Sequence, residues 1–114
     1  MQLTSIGELF ASRTLQLNDK NLTHVTITIG KPQKFPDGQD YYCPYQIIGL
    51  GDEKINRCGG IDEIQALLLT LEQIGVFLSN SEEYKQGNLS WLGSEEGNLG
   101  FPHHDSSGML KHLI

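Results

Sequence analysis

Alternating apolar and polar positions predict a β-hairpin in the first part of the chain. In residues 22–30, Val or Ile alternates with polar residues, which is typical of a strand with one buried and one solvated face. Residues 13–17 alternate in the same way, and placing the apolar residues of both runs on one face requires a loop of odd length. We expect a three-residue loop over 19–21, with Asn21 in the left-handed conformation.

The following segment predicts two more strands and the loops around them. Residues 31–40 contain two prolines and a Pro-Asp-Gly turn signal, so we expect an exposed loop. Residues 41–50 are rich in aromatic and β-branched residues. Pro44 removes one ladder donor, which places this strand at an edge at that point or gives it a bulge. A turn at 51–53 then leads into a short fourth strand over 54–59.

A helical period replaces the alternation after these strands. Asp62 is predicted to be the helix N-cap, and Gln65 three residues later completes an Asp variant of the capping box. The helix is predicted over 63–78, because its apolar residues recur at a spacing of three or four and form one buried stripe. The residues of that stripe are Ile64, Leu67, Leu68, Leu71, Ile74, Gly75 and Leu78. Leu69 and Val76 lie off it and need a second cover.

The last third of the chain is rich in Gly, Ser, Asn and Glu. We interpret it as an arm that wraps back over the helix, so that its aromatic residues cover Leu69 and Val76; the alternative is an exposed apolar patch that binds a partner. The predicted fold class is α+β: a four-stranded, mainly antiparallel meander with one long helix packed on one face and an irregular C-terminal arm. Residues 1–102 are predicted to form a single domain, and residues 103–114 a tail.

Composition and charge exclude several classes of function. The chain has 114 residues, 38% of them hydrophobic, which suits one small domain with a modest core. Its net charge of -6 argues against nucleic acid and anionic membranes as partners, because both require a surplus of Lys and Arg. The sequence starts without a basic and apolar export signal, and no apolar run approaches the length of a membrane span. We therefore expect a cytoplasmic location.

Cys43 and Cys58 are the only cysteines, and in a cytoplasmic protein the default state is two reduced thiols. Both lie in the outer half of the hairpin predicted for the third and fourth strands. Whether they are neighbours depends on its register, which the sequence leaves open. A thiol enzyme would also need a base such as His24 beside one of them, and nothing in the spacing requires that arrangement.

The sequence predicts no catalytic, cofactor-binding or metal-binding residue. Gly49-Leu50-Gly51 begins a glycine-rich pattern, but Lys54 stands where a dinucleotide-binding fingerprint has its third glycine. Gly59-Gly60 is interpreted as a turn into the helix and not as an anion site. His103-His104-Asp105 contains metal-binding residue types, but adjacent residues seldom point at one ion, and a solvated tail is the simpler interpretation.

Acidic residues cluster in the C-terminal arm. Residues 82–105 contain five acids and one base, so four of the six net negative charges lie there. Such an arm could steer and anchor a basic protein partner, and the residues predicted to contact it are Trp91, Glu95, Glu96 and Phe101. Solubility is the simpler explanation for the same charges.

Several motifs together resemble a known family. They are Arg13-Thr14-Leu15 in the first strand, residues 42–51, the helix entry Gly60-Ile61-Asp62-Glu63-Ile64-Gln65-Ala66-Leu67, and Leu99-Gly100-Phe101-Pro102. In these motifs, over about residues 13–102, the chain is similar to a family of short bacterial proteins of unknown function. The resemblance implies one small α+β domain and brings no activity, cofactor or catalytic residue.

Two functional hypotheses follow from the sequence. The first, which we prefer because no catalytic constellation is present, is a non-catalytic protein-interaction module, by analogy with immunity or inhibitor proteins. The second is a small ligand-binding protein or enzyme with a pocket near Cys43 and Tyr45. Homodimerisation through the edge strand near Pro44, or through Leu69 and Val76, is compatible with both.

Overall fold

A computed structural model describes residues 3–92, 97–104 and 110–111 of the chain. Its elements are, in chain order, β1 (Leu9–Leu17), β2 (His24–Gly30), β3 (Gln33–Lys34), β4 (Tyr41–Ile48), β5 (Ile55–Gly60), α1 (Glu63–Ser79), α2 (Glu82–Lys85), β6 (Leu89–Ser90), β7 (His103–His104) and β8 (Leu110–Lys111). Within the described residues, β1 to β6 form one antiparallel sheet and β7 pairs with β8 in another. The predicted α+β class with one long helix is confirmed. The predicted count of four strands is wrong, because the main sheet has six.

The described chain divides into two compact units that share β1, β2 and α1. The first contains the residues up to Thr14 together with Val25–Thr70, and the second contains Leu15–His24 and the residues from Leu71 onward. In the first unit, β5 pairs along one side of β4, so β2 and β3 share its other side. In the second unit, the end of β1 pairs with β6.

Pro44 lies where one ladder of β4 ends. Pro44 is opposite Arg57 of β5. The next residue, Tyr45, pairs with Ile29, which is the last β2 residue paired with β4. A residue without a backbone N–H is tolerated at such an interruption, as the sequence predicts. The next β2 residue is Gly30, and a Cβ added there would lie 2.8 Å from Pro44 Cγ. A side chain at the end of β2 would therefore clash with the Ile6 carbonyl and with Pro44 of β4.

Asp19 orders the connection between β1 and β2. Its carboxylate accepts hydrogen bonds from the backbone N–H groups of Asn21 (3.1 Å) and Thr23 (2.9 Å) and from the Thr23 hydroxyl (2.6 Å). Because this turn holds Asn21 outside the left-handed region, the left-handed residue is Leu22 (φ 49°), and the prediction of Asn21 is wrong. The N–H of Leu17 donates to the carbonyl of Thr23 (2.8 Å), so the loop spans 18–22. Its length is odd as predicted, but the predicted three-residue loop over 19–21 is wrong.

The entry into α1 follows the predicted capping pattern. The Asp62 side chain accepts from the Gln65 N–H (2.7 Å), and the Gln65 side chain accepts from the Ile61 N–H (2.8 Å). These reciprocal bonds satisfy donors that a helix start leaves without helical partners. Gly60 allows the close approach of β5, because a Cβ added there would lie 2.9 Å from the Ala66 Cα.

Small side chains form the buried face of α1 in the first unit. Ala66 and Thr70 are both 0% exposed, and the Thr70 hydroxyl donates to the Cys43 carbonyl of β4 (3.3 Å). Ile64 and Leu68, which the predicted stripe placed in the core, are exposed. The prediction is wrong because it ranked faces by apolarity, whereas the contact with the strands favours the face with the smallest side chains.

In the second unit, α1 and the C-terminal arm meet at Gly75. A Cβ added to Gly75 would lie 2.8 Å from the Pro102 carbonyl oxygen, so this contact is between backbones. Ile74 and Leu78 of the predicted stripe are buried, and so is Phe101. Leu69 and Val76 are exposed, so the prediction that the arm covers them is wrong. The arm also contains α2 and β6, and is therefore less irregular than predicted.

Candidate functional site

Exposed aliphatic side chains lie at the start of α1 in the first unit. We name Ile61, Ile64, Leu68 and Leu69 the outer α1 face. Their side chains are 74%, 68%, 55% and 42% exposed, respectively. A cluster of large aliphatic side chains left in water is unusual on a small protein surface and is typical of a binding surface.

Helical geometry explains why these side chains remain exposed. Residues four positions apart share one side of a helix, so Ile64 and Leu68 lie together. Ile61 comes before the helix, immediately ahead of its cap Asp62. Ala66 and Thr70 are buried, and the Thr70 hydroxyl donates to the Cys43 carbonyl of β4. Because α1 has already filled its contact with the sheet through the small residues, the large ones have no surface within the first unit to cover them.

The surroundings of the outer α1 face are acidic. Asp62 and Glu63 lie in the turn that starts α1, and both are exposed. The sequence contains no Lys or Arg from residue 58 to residue 84, although it contains five acids there. A surface that combines aliphatic groups with carboxylates favours a partner with aliphatic and basic groups.

A cavity of about 540 Å³ lies beside the turn between β4 and β5. Its lining comprises Leu3, Thr4, Gln46, Glu53, Lys54, Ile55 and Arg57. Glu53 shapes this turn: it has a left-handed φ of 60°, its side chain accepts from the Gly49 N–H (2.8 Å), and its carbonyl accepts from the Gln46 side chain (2.8 Å). Cys43 and Tyr45 are buried and do not line this cavity. The predicted pocket near them stays a prediction.

The two thiols lie on neighbouring strands. Cys43 of β4 is directly opposite Cys58 of β5, and neither forms a disulfide. Burial raises the pKa of both thiols, and a hydrogen bond with Thr70 opposes that rise; the nearby Cys58 further raises the pKa of Cys43. Both thiols therefore stay protonated at neutral pH.

The residues predicted to bind a partner through the arm lie in different environments. Phe101 is 7% exposed, so its ring contributes to the interior, and Trp91 is half-buried. Glu95 and Glu96 lie outside the described residues, as does Asp105 of the predicted metal-binding triplet. Binding through the arm stays a prediction.

The glycine-rich runs have structural roles. Gly49 and Gly51 have positive φ angles of 98° and 75°, which the β4–β5 turn requires. Gly60 precedes the capped start of α1. Among the described residues, no group of three or more His, Cys, Asp or Glu side chains could hold a metal ion. In the same part of the chain, no helix is long and apolar enough to cross a membrane.

The fold and this surface define a small α+β domain that presents an uncovered helix face beside an antiparallel sheet. Residues 11–103 match the domain of unknown function DUF6968, so the chain belongs to that family. The match confirms the expected membership in a family of unknown function. No curated protein and no solved structure matches the chain.

Sequence reasoning named the arm as the binding element and missed the outer α1 face. One signal was available. Gly60, Ala66 and Thr70 are small residues on or beside one side of the predicted helix, and small residues indicate where backbones approach each other closely. If these small residues had been assigned to the buried side of the helix, Ile64 and Leu68 would have been predicted to lie on the surface.

Proposed function

We propose that the chain is a non-catalytic protein-interaction module whose outer α1 face binds an apolar and basic segment of a protein partner. The observation that carries this proposal is the exposure of Ile64 and Leu68 on one side of α1, and of Ile61 just before the helix begins, while Ala66 and Thr70 of α1 are buried. Burying a large aliphatic side chain contributes about 1.5–3 kcal/mol, so covering three that are each more than half exposed supplies several kcal/mol of binding free energy.

Charge supports a basic partner over a second copy of the chain. In a symmetric antiparallel contact between two copies, Asp62 and Glu63 of each copy would approach a helix that contains acids and no Lys or Arg. Carboxylates facing each other oppose association, whereas Lys or Arg at the edge of the contact accelerates it. A basic amphipathic segment satisfies both the aliphatic groups and the carboxylates.

Two narrower proposals extend this one. The acidic arm adds long-range attraction for the same basic partner through Glu95 and Glu96, and Trp91 adds an aromatic anchor, in the cytoplasm of a bacterium. When the partner is an enzyme or a toxin, binding of this kind makes the module an inhibitor or an immunity protein. The analogy with those proteins rests on the kind of function and not on a shared fold.

The direct test uses a designed peptide as the probe. A helical peptide of about 16 residues, with Leu on one side and Lys on the other, carries the chemistry of the proposed partner. Its binding to the full chain is measured by fluorescence anisotropy at low and high salt. We expect saturable binding that weakens with salt, and an Ile64→Ser/Leu68→Ser variant that binds at least about tenfold more weakly.

The controls separate this surface from general stickiness. A Leu9→Ser variant removes a side chain that is 57% exposed on β1 and should bind the peptide as the original chain does. A peptide with Glu in place of Lys should not bind. Equal binding by the Ile64→Ser/Leu68→Ser variant, or by the Glu peptide, would contradict the proposal. A stable dimer that this variant abolishes would assign the surface to self-association and would overturn it as well.

The arm is tested separately. A Glu95→Gln/Glu96→Gln variant should weaken peptide binding at low salt and leave binding at high salt unchanged, because long-range attraction is screened by salt. No change at low salt would remove the arm from the proposal.

A further inference from the structure

β4 and β5 hold two thiols at the spacing of a disulfide bond. Their register places Cys43 directly opposite Cys58. Opposite residues of antiparallel strands project their side chains from the same face, with Cα atoms about 4.5–5.5 Å apart. Disulfides join Cα atoms about 4.4–6.8 Å apart, so no strand has to shift for these two thiols to be linked.

Thr70 of α1 lies beside this pair of thiols. The Thr70 hydroxyl donates to the Cys43 carbonyl (3.3 Å), and hydrogen bonding with Thr70 lowers the pKa of both thiols against the rise caused by burial. Cys43 Sγ lies 3.5 Å from the Gly30 carbonyl oxygen, to which it donates. Because opposite residues of antiparallel strands project from the same face, the two thiols are on one side of the sheet and are not directed to opposite sides.

The two thiols differ in access. Cys43 is 0% exposed, whereas Cys58 is half-buried and lies on β5, which has no further strand on its outer side within the first unit. We propose that Cys43 and Cys58 are a dithiol that hydrogen peroxide converts to an intramolecular disulfide, in which Cys58 reacts first and Cys43 resolves the product. This modification site is independent of the outer α1 face.

The chemistry requires hydrogen peroxide as the oxidant. The Cys58 thiolate attacks one peroxide oxygen, the O–O bond breaks, and hydroxide leaves, which gives a sulfenic acid on Cys58. The Cys43 sulfur then attacks the Cys58 sulfur, the S–O bond breaks, and the departing hydroxide takes the Cys43 proton as water. In total, two thiols and one peroxide give one disulfide and two waters. Since burial raises the pKa of Cys58, little thiolate is present at neutral pH, and the first step is slow.

The test follows the thiols of the intact chain. The protein is treated with hydrogen peroxide, denatured, alkylated and examined by mass spectrometry. We expect a monomer that has lost the mass of two hydrogen atoms and takes up no alkylating agent, and a reductant should restore both thiols. Two thiols that remain alkylatable, a chain oxidised only to sulfinic or sulfonic acid, or a disulfide between chains would each overturn the proposal.

A register-shifted variant is the matched control. Arg57→Cys/Cys58→Ser keeps two cysteines but moves one of them by one residue, and adjacent strand residues point to opposite faces of a sheet. This variant should form no intramolecular disulfide under the same treatment. If it closes as readily as the original chain, the linkage reflects general flexibility, and the proposal is wrong.

Single variants test the order of the two steps without depending on how the register-shifted variant folds. A Cys43→Ser chain, which retains Cys58, should be oxidised at nearly the rate of the original chain. A Cys58→Ser chain, which retains only the buried Cys43, should react at least about tenfold more slowly. The reverse order of rates would overturn the assignment of Cys58 as the first thiol to react.

Discussion

A single methyl group added at Gly60 tests how closely β5 approaches the first turn of α1. A Cβ at this position would lie 2.9 Å from the Ala66 Cα and 2.9 Å from the Gln65 carbonyl carbon, and both are backbone atoms that cannot rotate away. Overpacking of this kind costs about 1–3 kcal/mol. Ala also restricts the unfolded chain relative to Gly, which offsets about 0.4–1 kcal/mol of that cost. We expect Gly60→Ala to lower the free energy of unfolding by about 1–2 kcal/mol.

The neighbouring glycine provides the matched control. A Cβ added at Gly59 would meet its nearest atom, the Tyr41 carbonyl oxygen, at 3.6 Å, which is an ordinary contact. Neither Gly59 nor Gly60 has a positive φ, so backbone strain does not separate the two substitutions. Gly59→Ala should therefore be neutral or slightly stabilising, although it makes the same chemical change one residue earlier.

Urea denaturation followed by circular dichroism measures both variants under reducing conditions. With a slope of about 1–2 kcal/mol per molar urea, the expected loss moves the Gly60→Ala midpoint by roughly 1 M. If Gly60→Ala unfolds within about 0.5 kcal/mol of the original chain, the close approach is wrong. If Gly59→Ala loses as much stability, the loss comes from the strand in general and not from contact with Ala66.

Two further predictions concern the cap of α1 and the buried thiols. Asp62→Ala removes the side chain that accepts from the Gln65 N–H, so it should lower the free energy of unfolding by about 1 kcal/mol. Asp62→Asn retains an acceptor and should lose less stability. Equal losses in the two variants would show that the cap bond is unimportant. Burial raises the pKa of both thiols in the folded chain, so the unfolded chain loses its thiol protons first as the pH rises past about 8.5. The contribution of the thiols to the free energy of unfolding should be complete below that pH and should be lost above it. Urea denaturation at about pH 7.5 and 9 should show a smaller decrease in the free energy of unfolding for a Cys43→Ala/Cys58→Ala variant than for the original chain. An identical decrease would mean that the thiols do not contribute.

The sequence was most informative where local chemistry determines the structure. Alternation located β2, the Pro44 interruption and the start of β5, because side-chain period and missing donors are properties of the strand itself. Asp62 and Gln65 located the start of α1 because capping is a local set of hydrogen bonds. The two-residue strands β3 and β6 were missed, because strands of that length have no period and depend on a partner distant in sequence.

The candidate site was missed for a different reason. Hydrophobic periodicity identifies an apolar side of a helix but does not say whether that side is buried. In α1 the close contact made by Ala66 and Thr70 determines the orientation, and that contact depends on Gly60 and Cys43 in other elements. The opposition of Cys43 and Cys58 likewise required a register that the sequence could not supply.

The segregation of roles on α1 has a consequence for how this domain can diversify or be redesigned. Gly60, Asp62, Gln65 and Ala66 build the helix entry, so a sequence signature made of these residues reports a way of folding and carries no information about the ligand. Ile64 and Leu68, interspersed among them, contribute little to the interior of the first unit. Selection or a randomised library can therefore alter the surface at these positions while the scaffold remains intact.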